Sequence, residues 1–284
     1  KDFSKYPDLE GKNGKICGPR SLFLLSVCSR SPSQEKVPTI ESGSESPTPQ
    51  FESMRSVLVL DGDGDGVRIE DSESLHLREE ITIEARIKLA DSGKFDGGDA
   101  VLAKGTTNEP YALWAKFFKC DNWAPAAFFD SVDIFGSDEW VCSNQLIQLG
   151  QWVNLAITYN RQEAILYINN QEVGRKLLEG GLTENFDPLF IGLSPVPGDE
   201  DFAGEIDYLA LWRKVRTPEQ MSADFEGEIS SISDAQLAGL VGFWQFDGNY
   251  LDSTSNHNDG QPLGDAHIET IVKNDFPKPL SGPD

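Results

Sequence analysis

The stretch Ile81-Thr82-Ile83-Glu84-Ala85-Arg86-Ile87-Lys88-Leu89 alternates apolar and polar residues without a break. Successive side chains of an extended chain point to opposite faces, so this period describes a strand with one face in a core and one in water, and it does not fit a helix. Outward from it, similar segments recur as far as Leu240-Val241-Gly242-Phe243-Trp244-Gln245-Phe246. Val57–Leu60 and Val67–Ile69 flank a Gly/Asp turn; Val101–Lys104 and Tyr111–Phe117 follow. Trp152–Tyr159 alternates again, with Val153, Leu155, Ile157 and Tyr159 on one face. Ala164–Ile168 and Gln171–Val173 are joined by Asn169-Asn170, a pair that tolerates the positive φ angles of a type I′ turn, which predicts a hairpin. With Leu189–Leu193 and Phe202–Trp212 the count is about a dozen strands, the mark of an all-β sandwich of antiparallel sheets. One short helix is expected from Pro218 to Phe225. Thr217 offers an N-cap there, Pro218 suits the first helical position and Gln220 completes a capping box.

Hydrophobic residues make up 38% of the 284, and the apolar pattern is thin at both ends. The expected organisation is a polar segment and linker over residues 1–50, one sandwich over 51–268, and a Pro-rich linker over 269–284. A chain that opens on Lys1 is expected to be a piece of something longer. Ser21-Leu22-Phe23-Leu24-Leu25-Ser26-Val27 is similar to a short signal segment ending at Cys28, although Val27 stands where a small residue belongs. No run reaches the roughly eighteen apolar residues of a membrane span. The formal net charge of −23 repels phosphate backbones and anionic membranes, which argues against nucleic acid as a partner. It suits calcium, a hard cation bound by oxygens, or simply solubility. Of four cysteines, none forms a CxxC pair. Cys120 and Cys142 bracket an aromatic-rich insertion; in an oxidising compartment a disulfide there would pin a long loop, the alternative being two free thiols.

The landmarks, in order, resemble the laminin-G-like jelly-roll family of the concanavalin A-like lectin and glucanase fold. The resemblance rests on Leu58-Val59-Leu60-Asp61-Gly62-Asp63-Gly64-Asp65-Gly66-Val67, Ile81–Ile87, Gly150–Tyr159, Leu166-Tyr167-Ile168-Asn169, Phe202–Asp207, Leu211–Glu219, Leu240–Asp247 and Asp252–Gly260. It covers the chain from Val57 to Ile268. It implies a jelly roll of two antiparallel sheets, serving as a non-catalytic module that recognises glycans or proteins in an exported or surface protein, often with calcium. Arg86 stands where the family commonly has tryptophan, Asp65-Gly66 where it has an acid and a tyrosine, and Leu209-Ala210 where a charged residue is usual. These departures leave ligand preference open.

Four groups of residues invite a chemical reading. Asp61, Asp63 and Asp65 are spaced like the start of an EF-hand loop, but its twelfth position is Ser72 rather than glutamate, and the flanking helices are missing. An acidic β-turn is the plainer account. The jelly-roll ends lie side by side, so the turn is also expected to meet Asp252, Asn256 and Asn258 and form a calcium site with Asp61 and Asp63. Glu205-Ile206-Asp207 resembles the Glu-x-Asp-x-x-Glu strand of laminarinase-type glucanases. Such enzymes need two carboxylates about 5 Å apart; here the last position is Ala210, so no hydrolase is expected, and Glu205 and Asp207 are read as solvent-facing or loop-anchoring. The aromatics Trp123, Phe128, Phe129, Phe135 and Trp140 are candidates to stack on sugar rings or anchor a protein, against the alternative that half of them close the core. Finally, Cys17-Gly18-Pro19 resembles the nucleophile turn of bacteriocin-processing cysteine peptidases. His76, His257 and His267 all lie within or after the sandwich, so this is at most the stub of an upstream domain; none of the three has metal-ligand spacing.

The combined expectation is an extracellular or cell-surface ligand-binding or adhesion module, calcium-stabilised and part of a multidomain chain. It would recognise a glycan or an extracellular protein. A structural spacer without its own ligand is the alternative, and a glycoside hydrolase a weaker one.

Overall fold

The structure, a computed structural model, describes residues 54–91, 93, 97–106, 109–130, 140–195, 201–223 and 237–272. The strands run β1 (Met54–Asp61), β2 (Gly66–Ile69), β3 (Ile81–Leu89), β4 (Gly98–Lys104), β5 (Tyr111–Phe117), β6 (Ala126–Phe129) and β7 (Trp140–Cys142). They continue with β8 (Trp152–Tyr159), β9 (Glu163–Ile168), β10 (Gln171–Leu177), β11 (Leu189–Ile191) and β12 (Ala203–Trp212). Helix α1 (Pro218–Ala223) precedes β13 (Leu240–Trp244), β14 (Gly260–Leu263) and β15 (His267–Val272). The first sheet has the order β10-β9-β8-β3-β12-β1-β15, with β13 also on β12; the second has the order β14-β2-β11-β4-β5-β6-β7. All pairings in both sheets are antiparallel. This is the expected two-layer jelly roll.

Alternation builds the core as the sequence predicts. Ile81, Ile83, Ala85, Ile87 and Leu89 of β3 join Val153, Leu155, Ile157 and Tyr159 of β8 between the sheets. The other face of β3 departs from expectation: Thr82, Glu84 and Arg86 are buried rather than wet. The chain after β12 folds back as a strap over Thr82 and Glu84, while Arg86 pairs with Asp207 and lies on the Tyr208 ring. Thr82 Oγ1 donates to the Lys214 carbonyl at 2.7 Å, and Arg216 pairs with Glu84 while its guanidinium lies 4.1 Å from the centre of the Trp212 ring. Met221 of α1 packs on Ala156 and Tyr167. The capping box forms: Thr217 N donates to Gln220 Oε1 at 3.0 Å and Gln220 N to Thr217 Oγ1 at 3.3 Å.

The β9–β10 hairpin turns on Asn169 and Asn170, with φ of 49° and 63°. The sandwich extends past Ile268, the expected limit. Strand β15 runs to Val272 because its backbone pairs with β1 from Met54 to Val59. An amide ladder, which no side-chain pattern records, sets that boundary. The cysteine turn at Cys17, the segment Ser21–Val27 and Phe135 lie outside the described residues. Within them, no helix is long and apolar enough to cross a membrane.

Candidate functional site

The acidic turn after β1 is where the two sheets meet. Strand β1 belongs to the first sheet and β2 to the second, so residues 61–66 cross between layers. Strands β14 and β15 make the same crossing: Leu263 pairs with Gly66, and His267 with Val59. The two crossings are therefore stacked. Gly264, at φ +63°, lets them touch, since a Cβ there would lie 3.0 Å from the Asp65 Cα. One carboxylate oxygen from each of Asp61, Asp65 and Asp265 lies within 4.8 Å of the others.

Asp61 and Asp265 are exposed, whereas Asp65 is 1% exposed. Asp65 Oδ2 accepts the Asp61 amide at 3.0 Å, but its Oδ1 is buried with no hydrogen-bond donor. Burial pushes the Asp65 carboxyl above its usual range; hydrogen bonds from the backbone oppose that, and the charges of Asp61 and Asp265 reinforce it. A buried acceptor without a donor costs free energy unless something positive reaches it. Gly64 N donates to Asp201 Oδ2 at 2.9 Å, so a further segment anchors the turn. An all-oxygen set of this kind fits a hard divalent cation, with carbonyls and water completing the six to eight ligands calcium takes.

The expected partners of the turn do not join it. Asp252 Oδ1 accepts the amides of Phe243 and Thr254, each at 2.9 Å. Its Oδ2 accepts Thr254 Oγ1 at 2.7 Å and the Asn258 amide at 3.0 Å. Asn258 Oδ1 accepts the Ser72 hydroxyl at 2.6 Å, its Nδ2 donates to the Val241 carbonyl at 3.0 Å, and Asn256 Nδ2 donates to that carbonyl at 2.8 Å. These side chains are occupied in holding the 252–258 loop, so of the expected set Asp61, Asp63, Asp252, Asn256 and Asn258 the last three are engaged away from the turn. Asp63 contributes its amide to Asp61 Oδ1 at 2.9 Å. Asp265 was missed because it lies 200 residues from the turn in sequence; its one signal is a second Gly-Asp step, Gly264-Asp265.

Cys120 and Cys142 are disulfide-bonded, with Cα atoms 5.6 Å apart. The bond fixes an aromatic patch on the outer face of the second sheet. Phe117 stacks on Trp140 at 4.1 Å, Phe128 meets Trp140 at 4.7 Å, and the Lys119 ammonium lies 4.7 Å from the Trp140 ring centre. Phe118 is 51% and Trp123 40% exposed. Asn122 and Trp123 have φ of 56° and 60°, a left-handed conformation that is uncommon for a bulky residue and costs about 1–3 kcal/mol. Phe129 does not belong to this patch. It points into the core, stacked on Tyr159 at 4.9 Å, because alternation along β6 turns it away from Phe128.

On the outer face of the first sheet, Lys88 Nζ pairs with Glu205 Oε1 at 2.9 Å. Asp207 is fully buried between Arg55 and Arg86, not solvent-facing. Ala210 stands fully buried among Tyr208, Trp212 and Phe243. A glucanase's third carboxylate is replaced here by a packed methyl group, and the middle one is held by two guanidinium groups.

A sequence model described as the concanavalin A-like lectin/glucanases superfamily, Laminin_G_3, matches residues 61–222. The chain belongs to this superfamily. The match covers more than half of the chain and confirms the resemblance drawn from the sequence. Pappalysin-1 of Mus musculus and of Homo sapiens is 33% identical over 82 residues, or 27% of this chain; the chain spans 5% of the length of those relatives. Among solved structures, a protein of Bacteroides ovatus described as carbohydrate binding superposes with a TM-score of 0.56 at 14% identity, over 80% of this chain and 62% of that one. A heptameric SAP-like pentraxin of Limulus polyphemus gives 0.50 at 14% identity, over 78% and 96%. Both share the superfamily's fold.

Proposed function

We propose that this chain is a non-catalytic ligand-binding module of an extracellular or cell-surface multidomain protein, which recognises carbohydrate and carries calcium at Asp61, Asp65 and Asp265. The observation that carries the recognition is the aromatic patch. Phe118 and Trp123 present exposed rings on a disulfide-pinned segment, with the Lys119 ammonium beside Phe118. Rigid amphipathic rings bind at low entropic cost, and a sugar ring offers a flat apolar face to stack on. Backbone strain held at an exposed tryptophan is the kind of feature that packing alone does not call for. The fold likeness to a Bacteroides ovatus protein described as carbohydrate binding is compatible with the reading. The disulfide favours an oxidising compartment. Against hydrolysis stand Ala210 and the arginine-held Asp207.

The calcium ion would brace the stacked crossings and supply the positive charge that Asp65 Oδ1 lacks. A glycan array probed with and without calcium, repeated with Trp123→Ala, tests the module reading. Glycan binding that weakens at least tenfold in Trp123→Ala, with an unchanged melting temperature, is the expected result. An array blank under both conditions would favour the spacer reading instead, and binding indifferent to Trp123 would overturn the assignment of recognition to the aromatic patch.

A further inference from the structure

At the edge of a cleft of about 470 Å³, lined among others by Glu73, Arg78 and Glu184, sits His76. Its side chain is 5% exposed, and the rim of Phe186 packs edge-to-face on its ring at 5.1 Å. Both ring nitrogens face carboxylates. Nε2 is 3.1 Å from each oxygen of Asp71. Nδ1 is 3.3 Å from Glu184 Oε1 and 3.4 Å from Glu73 Oε2, without hydrogen-bond geometry to either. Asp71 is itself held by the Lys104 ammonium at 2.8 Å, and Glu184 by Arg78.

A neutral imidazole has one N–H and one lone pair. Whichever nitrogen carries the proton, the other keeps its lone pair next to carboxylate oxygens, and acceptor lies beside acceptor. The contact at Nε2 has hydrogen-bond geometry, so the proton belongs there, donated to Asp71. That leaves Nδ1 bare against Glu73 and Glu184, where a cation is required. A carboxylate on the far nitrogen is also the arrangement that fixes the tautomer of metal-binding histidines and raises their basicity.

We propose that His76 Nδ1, Glu184 and Glu73 form a site for a borderline divalent metal ion such as zinc, separate from the all-oxygen group at Asp61. Tetrahedral zinc with nitrogen and oxygen ligands sets neighbouring donors roughly 3.4 Å apart; Nδ1 meets that spacing to each oxygen, at 3.3 and 3.4 Å, while the two oxygens lie farther from one another and the exposed Glu73 side chain has to turn inward to close the shell. A nitrogen donor selects zinc over calcium and magnesium, which prefer oxygen alone. The cleft supplies access and room for water at the remaining position.

The test is a calorimetric titration of zinc chloride into the full chain near neutral pH, with calcium in excess. Cys17 and Cys28 are replaced by serine so that thiolates do not compete. The expected result is saturable one-to-one binding in the micromolar range, at least tenfold weaker in both His76→Gln and Glu73→Gln and unchanged in Asp65→Asn. The Glu73 side chain is 96% exposed, so its variant tests the site without endangering the fold. Nitrogen NMR of the three histidines should show the His76 Nδ1 signal alone moving with zinc. No saturation below millimolar zinc would overturn the assignment, as would affinity unchanged in both variants. A His76 ring already carrying two protons and indifferent to zinc would do the same, because the required cation would then be a proton.

Discussion

Replacing Asp65 with asparagine isolates the electrostatics of the acidic crossing. Two unit charges 4.8 Å apart repel by about 0.9 kcal/mol at a water-like dielectric and about 3.5 kcal/mol at an effective value of 20. Asp61 and Asp265 are exposed, so the lower figure applies to their pairs. Asp65→Asn removes two of the three pairs, about 2 kcal/mol in all, and turns an N–H donor toward the carboxylates of Asp61 and Asp265 in place of a third acceptor. For a domain of this size that raises the melting temperature by about 4–8 °C in EDTA. The wild type should behave in the opposite way toward the ion. Calcium at a hundredfold excess over its dissociation constant adds about 2.7 kcal/mol, a gain the variant loses.

The pH dependence has a definite sign. The folded-state pKa of Asp65 is raised above 3.8, so without calcium its contribution to stability is full below that value and is lost as pH rises through the folded value. With calcium the trend reverses, since the ion needs the carboxylate ionised. Scanning calorimetry of both proteins, in EDTA and in millimolar calcium from mildly acidic to neutral pH, reads all of this. A wild-type melting temperature identical in EDTA and calcium, or a variant that melts lower than wild type in EDTA, refutes the reasoning.

Two further outcomes follow from the packing. Cys142→Ser opens a closed loop of 22 residues, which chain entropy values at about 3 kcal/mol; chemical denaturation should show that loss, together with weakened ligand binding as Trp123 loses its anchor. Arg216→Met removes the cation from Glu84, which is 3% exposed. Removing one partner of a buried ion pair costs about 3–5 kcal/mol, and proteolysis should then cleave first in the strap after β12, unless that strap contributes nothing to the fold.

Strand identity, the β9–β10 hairpin and the start of α1 were legible in the chain because each depends on neighbours in sequence: a two-residue period, paired asparagines, a capping box. The disulfide was legible as well, since Cys120 and Cys142 bracket the insertion they close. Which aromatics face out was only half legible. Phe128 and Phe129 are adjacent, and the register of β6 against β5 and β7 decides that one joins Trp140 and the other the core.

Which carboxylates come together was only partly legible in the chain, for a related reason. Carboxylates in any turn resemble ligands, but hydrogen bonding from Phe243, Thr254 and Asn258 occupies Asp252. Meanwhile the stacking of two inter-sheet crossings brings Asp265 to Asp61. Sequence by itself determined the layers of this protein, because burial periodicity is a local property of an extended backbone. Only the tertiary structure decided which polar atoms are left unsatisfied, Asp65 Oδ1 and His76 Nδ1 among them. That depends on what distant strands bring against them, and hydrogen-bond donors are consumed one pairing at a time.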